Sequence, residues 1–129
     1  MQKIEVVAAI IIQDNKLLIA QRKEGKSFGG KWELMGGKIN PNESPEAALK
    51  RELMEEMGIE AKIGTFFCKI THQYPTFEID LWAYQVDSFE GNFQLYEHSQ
   101  INWVTKNELD NYAFTEADIP IIQKIKNIL

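Results

Sequence analysis

Residues 6–12, Val-Val-Ala-Ala-Ile-Ile-Ile, form an unbroken apolar run rich in β-branched side chains. The run is too short to span a bilayer and lacks helical spacing, so it reads as a strand buried on both faces. Asp14-Asn15 then supplies a turn, and residues 17–21 read as the second strand of a hairpin. Residues 22–31 are polar and Gly-rich and read as a loop, and residues 32–35 form a short extended piece before Gly36-Gly37. Further extended segments fall near 61–70, 76–85 and 100–104. In the second of these, Phe77, Ile79, Leu81 and Ala83 alternate with Glu78, Asp80, Trp82 and Tyr84, the pattern of a half-buried strand.

The covering layers are helical. Ser44 is a favoured N-cap, Pro45 suits the first helical position, Glu46 sits near the positive helix end, and Gly58 is a natural stop. These bounds predict a helix over 45–57 whose Ala48, Leu49, Leu53 and Met57 form one stripe that docks on a sheet. Thr105 to Glu108 fits a capping box opening a short helix. Ile121, Ile122, Ile125, Ile128 and Leu129 are spaced as one face of a last amphipathic helix. Strands flanked by two main helices define an α/β fold with a mixed sheet between helical layers. The 129 residues suit one domain over 1–129.

Composition narrows the functional classes. The chain is 44% apolar, too apolar for a disordered segment. It carries 14 Lys and Arg against 19 Asp and Glu, a formal charge of -5, which argues against polymeric nucleic acid as a partner. A single cysteine, Cys68, excludes an internal disulfide framework and fits a reducing compartment. With no membrane span and no signal-peptide pattern, a cytoplasmic location is expected.

Glu52, Glu55 and Glu56 stand at i, i+3 and i+4 and share one helix face. Like charges at this spacing cost roughly 0.2–0.5 kcal/mol per pair, and an anion near a helix C-terminus roughly 0.3–1 kcal/mol more. A solvated acidic face is the bland reading. A divalent cation would reverse the sign of both costs, and oxygen-only ligands suit Mg²⁺, or Mn²⁺, rather than zinc.

The surrounding residues favour the cation. From Gly37 the chain runs five residues to Glu43, seven more to Arg51-Glu52-Leu53, then Met54, Glu55-Glu56, Met57 and Gly58-Ile59. This resembles the Nudix box at all nine of its defined positions. The resemblance implies a Nudix fold and a loop-helix-loop that binds divalent metal and cleaves a nucleoside diphosphate linked to another group. Glu52, Glu55 and Glu56 would be metal ligands, a backbone carbonyl at Gly36 or Gly37 would complete the site, and Glu43 and Arg51 would brace the motif. Metal so held offsets phosphate charge and lowers the pKa of a bound water.

Outside the box the chain is similar over nearly its whole length to MutT-like enzymes, which convert nucleoside triphosphates to monophosphate and pyrophosphate. Residues 32–39 resemble the stretch leading into the box, with Met35 where the family usually has Pro. There the resemblance puts Glu33 and Leu34 at the substrate. Arg22 and Lys38 match cations on the phosphates. Glu97 matches a carboxylate that binds metal or acts as base beside Glu52 and Glu55. Tyr74 matches an aromatic that stacks on the base. For each, an ordinary surface or packing role is the alternative, and His98 reads as structural or solvated.

Asp118 falls where MutT has the Asn that reads guanine, and Ala117-Asp118-Ile119-Pro120 resembles the CTP pyrophosphohydrolase branch. An ionised Asp only accepts hydrogen bonds, which suits cytosine N4 and is repelled by guanine O6 and N7. A protonated Asp could donate and readmit oxidised purines. Asp118 is also a good N-cap. The expectation is a Mg²⁺-dependent pyrophosphohydrolase of cytidine or modified deoxycytidine triphosphates that cleans the nucleotide pool, monomeric or homodimeric. The alternatives are an 8-oxo-dGTP diphosphatase, a hydrolase of another nucleoside diphosphate derivative, or a non-catalytic nucleotide sensor.

Overall fold

The computed structural model describes residues 2–129. Strand β1 (Gln2–Ile10) lies inside a four-stranded sheet with β5 (Gly36–Lys38) on one side and β7 (Phe77–Glu90) on the other, and β6 (Glu60–Gln73) follows β7. β1 runs parallel to β7 and antiparallel to β5, so the sheet is mixed. A second sheet holds β2 (Ile12–Gln13), β3 (Lys16–Arg22) and β4 (Trp32–Glu33), with β8 (His98–Val104) on the free side of β3.

The apolar run is buried on both faces, and successive side chains divide between two cores. Val7, Ala9 and Ile11 join Leu18, Ala20, Leu49, Leu53 and Met57 beneath helix α1 (Pro45–Met57). Ala8 and Ile10 join Leu17, Ile19, Ile121, Ile122 and Ile125 beneath helix α2 (Ile119–Ile125). The expected hairpin is formed by the end of the run alone. The run leaves the first sheet at Ile11, and only β2 pairs with β3, through Ile12 with Leu17 and Gln13 with Lys16. Asp14 and Asn15 make the connecting turn with φ of 52° and 60°, the left-handed pair that matches strand twist in a two-residue hairpin.

Helix α1 starts and stops where its caps dictate. Ser44 Oγ accepts from the Ala47 N–H at 3.1 Å, and Gly58 closes the helix at φ 67° with its N–H on the Met54 carbonyl. The capping box at Thr105 opens a 3-10 helix over Lys106–Asn111, with the Thr105 N–H donating to Glu108 at 2.8 Å. Two expectations are corrected. α2 ends at Ile125 rather than running to Leu129, because Asn127 and Ile128 turn back onto the Lys124 and Ile125 carbonyls and leave Ile128 exposed. β7 is not half-buried: Leu81 and Ala83 face the α2 core, while Tyr84 is buried and Trp82 partly buried in the α1 core. Asp80, also buried on β7, is held by Lys3 at 3.3 Å and Lys69 at 3.6 Å and accepts from Thr71 at 2.7 Å.

Leu53 is fully buried and its neighbour Met54 is 48% exposed. Leu53→Ala should therefore cost about 2–5 kcal/mol of unfolding free energy, and Met54→Ala less than about 0.5 kcal/mol. Urea denaturation measures both, and equal losses would contradict this packing of α1.

Candidate functional site

A cleft of about 580 Å³ opens between the two sheets. At one end lie Gly36, Gly37, Lys38 and Asn40 of β5 and its loop, with Glu52 and Glu56 of α1. At the other lie Thr115 and Asp118, with Leu34, Phe28 and Phe77 as apolar wall, and Glu33, held by Arg22, acts by its charge on both Glu56 and Asp118.

The glycines set the first end. A β-carbon on Gly37 would overlap the Glu52 carboxylate, and one on Gly36 would run into the Val7 carbonyl on the neighbouring strand. Their absence lets α1 lie close over β5. The Gly36 N–H donates to the Glu56 carboxylate, whose Oε1 is buried without a partner. Burial first, then the charges of Glu52, Glu33 and Glu97, push Glu56 up to about 8. Burial also raises Glu52, against the pull of Arg51.

Arg51 organises the motif. Its Nε and Nη2 donate to Glu43 at 2.8 and 2.9 Å, Nη2 reaches the Lys38 carbonyl at 3.0 Å, and Nη1 draws in Glu52 at 2.8 Å and Glu55 at 3.2 Å. The guanidinium holds Glu43 down at about 2. Among the described residues, no three His, Cys, Asp or Glu side chains close around one point fit for an ion. The donor set still suits a hard divalent cation. It is all oxygen, it concentrates negative charge, and it leaves a buried carboxylate oxygen unpartnered beside two side-chain-free residues.

Not every expected residue reaches the cleft. Glu55 has a side chain 58% exposed on the outer side of Arg51. Glu97, 48% exposed, is ion-paired with Lys26 at 2.6 Å, which lowers its pKa. Tyr74 is outside the lining. It is buried, stacks on Phe77 at 4.8 Å and lies 5.3 Å from Phe28. Arg22 lines the cleft, with Nη1 on Glu33 at 3.1 and 3.2 Å and Nε on the Ser27 carbonyl at 2.7 Å. Lys38 does line the cleft.

Asp118 corrects the capping expectation. It makes no cap hydrogen bond, and its Oδ2 instead accepts from the Leu34 N–H at 2.7 Å across the fold. Burial, then the charge of Glu33, pushes it up to about 7. Phe28 is the cleft residue that sequence reasoning missed. It is 40% exposed and holds φ at 58°, a left-handed conformation uncommon outside Gly. A lone aromatic in a Gly-rich polar loop was the available signal.

The two-sheet fold, the glycine-lined helix and the acidic cleft define a class. Residues 6–124 match the NUDIX domain family, and the chain belongs to the Nudix hydrolases. Enzymes of this family act on small nucleotide substrates with a divalent metal. The chain is 42% identical over 123 residues to the CTP pyrophosphohydrolase of Escherichia coli, covering 95% of this chain and 91% of that one. It is 33% identical over 129 residues to the 8-oxo-dGTP diphosphatase of the same organism, covering 99% and 100%. Among solved structures, that of the E. coli ORF135 protein superposes with a TM-score of 0.88 at 41% identity, covering 99% of this chain and 91% of that one. No helix among the described residues is long and apolar enough to cross a membrane.

Because Asp118 binds its proton more tightly folded than unfolded, it favours the folded state at low pH. That benefit is lost as pH rises from the ordinary value of 3.8 to about 7. Each unit corresponds to about 1.4 kcal/mol. Asp118→Asn should therefore gain stability relative to the parent at pH 8 but not at pH 4. Thermal melts at the two pH values check this, and a pH-independent difference would contradict the burial of a titrating carboxyl.

Proposed function

We propose that this chain is a Mg²⁺-dependent nucleoside triphosphate pyrophosphohydrolase, with Mn²⁺ able to substitute, acting on cytidine or modified deoxycytidine nucleotides in nucleotide-pool cleaning. The observation that carries this reading is the cleft's polarity. One end offers oxygen ligands with excess negative charge, the other an apolar wall with the Asp118 carboxylate, and the Glu33 carboxylate acts on both. A nucleotide has the matching asymmetry of polyphosphate at one end and base at the other. The ligands would be Glu52 and Glu56 with a carbonyl of Gly36 or Gly37, joined by Glu55 and Glu97 once these leave Arg51 and Lys26. Bound metal would offset phosphate charge and lower the pKa of a water.

The chain's own residues do the rest. Glu43 and Arg51 hold the ligand helix against β5. Lys38 meets the phosphates. One of Glu52, Glu55 and Glu97 takes the proton of the water that attacks phosphorus, taken here as the β atom, and the products are a nucleoside monophosphate and pyrophosphate. Leu34 and Phe28 would enclose the base, with Phe28 in the place foreseen for Tyr74. Asp118 and Glu33 would accept from the exocyclic amine of cytosine. The second reading, 8-oxo-dGTP hydrolysis, draws support from Asp118, whose pKa of about 7 leaves a protonated, donating form available near neutrality. The acidic chain would act on free nucleotides rather than polymeric nucleic acid, in the cytoplasm, as a monomer or homodimer.

A panel of triphosphates assayed for pyrophosphate release with Mg²⁺ tests this, and the expected leaders are dCTP and its modified forms. No release from any triphosphate would sink the proposal, and a first rank for 8-oxo-dGTP would select the second reading. Glu52→Gln or Glu56→Gln should lower kcat by at least about 10²-fold through lost stabilisation of the reacting phosphate. Asp118→Asn should weaken cytidine selectivity, and Phe28→Ala should raise KM with a smaller change in kcat. An unchanged substrate ranking in the first, or an unchanged KM in the second, would remove that residue from the account.

A further inference from the structure

His98 lies at the start of β8 and is 3% exposed. Its Nε2 sits 2.9 Å from Glu33 Oε2, and its Nδ1 is buried with no partner. A register shift on β8 produces this contact. Gln21 pairs with Gln100, but Arg22 pairs with His98, so Ser99 is the extra residue. Bulges of this kind re-aim side chains. Here the bulge sets His98 opposite Arg22, and both reach Glu33 on β4. Arg22 is itself anchored through Nε to the Ser27 carbonyl at 2.7 Å.

The buried ring constrains its own chemistry. Nε2 faces a carboxylate oxygen, which accepts, so the hydrogen sits on Nε2, and a second one on Nδ1 would be a buried donor without a partner. The tautomer that fits is Nε2–H with Nδ1 bare, and that tautomer can only donate to Glu33. Glu33 is therefore held from two strands, and its charge in turn helps to raise Asp118 and Glu56. We infer that His98 is a positioning residue that, with Arg22, fixes the Glu33 carboxylate in the cleft before the nucleotide arrives. An acceptor already fixed gives up no rotamer freedom on binding. This rests on the reading that Glu33 and Asp118 face the base.

The test uses His98→Phe, which fills the volume without a donor, and His98→Gln, which keeps an N–H within reach of Glu33. In steady-state kinetics with dCTP and dTTP, whose base lacks the exocyclic amine, the Phe variant should raise KM for dCTP about tenfold. Its kcat should fall much less, and its preference between the two should narrow, while the Gln variant restores most of both. A Phe variant with the parent's KM and preference, or a Gln variant as impaired as Phe, overturns the role. Nitrogen NMR of the imidazole in the parent and in Glu33→Gln supplies a readout that needs no turnover and no altered His98. The expected result is protonated Nε2 and bare Nδ1, with the Nε2–H resonance moving in Glu33→Gln. An Nδ1–H tautomer, or no shift, overturns the role even if the Phe variant fails to fold. If no triphosphate is hydrolysed, the functional reading fails on its own, and the NMR result still decides the Glu33 clamp.

Discussion

The distance between helix α1 and strand β5 is the constraint on which the cleft depends. Glu52 reaches the β5 backbone only because residue 37 has no side chain, and β5 pairs with β1 only because residue 36 has none. Those two absences put the Glu56 carboxylate over the Gly36 N–H and bury its second oxygen. A larger residue at 37 would displace the Glu52 carboxylate, and one at 36 would run into the backbone of β1.

Three glutamates at the negative end of a helix oppose its formation, and the core beneath overrides them. Leu49, Leu53 and Met57 are fully buried. Side chains of that size contribute about 1.5–3 kcal/mol each, against roughly 0.2–0.5 kcal/mol per like-charged pair. The apolar stripe thus holds an acidic face in place that no isolated helix would favour. Glu43 and Arg51 limit the remaining repulsion from outside, with Arg51 bridging to Glu52 and Glu55.

The formal charge of -5 takes on a different meaning by position. Glu52, Glu56, Glu33 and Asp118 gather in a single cleft, with the Glu33 charge felt by both Glu56 and Asp118. Two of these, Glu56 and Asp118, are pushed up to about 8 and about 7 by burial and by their neighbours. Charge concentrated in this way suits a cation at one end and an amine-bearing base at the other. It does not suit a polyanion laid across the surface.

Much of this was legible locally. The caps of α1, its apolar stripe, the Asp14-Asn15 turn, the doubly buried run and the spacing of the box all depend on residues near one another in the chain. Long-range geometry was not legible. Asp118 read as a residue facing the base or a helix cap, and neither reading foresaw its bond to the Leu34 N–H, 84 positions away. Tyr74 read as the stacking aromatic, yet Phe77 and Phe28 stand beside it and line the cleft in its place. His98 read as structural, because a one-residue bulge on β8 leaves no trace in periodicity. The sequence by itself determined the class of fold, the acidic helix and the chemistry its glutamates can support, since these follow from caps, periods and spacings of a few residues. The tertiary structure alone decided which side chains meet across the cleft and which carboxyls burial pushes toward neutrality. Those properties arise where strands distant in the chain exclude water together.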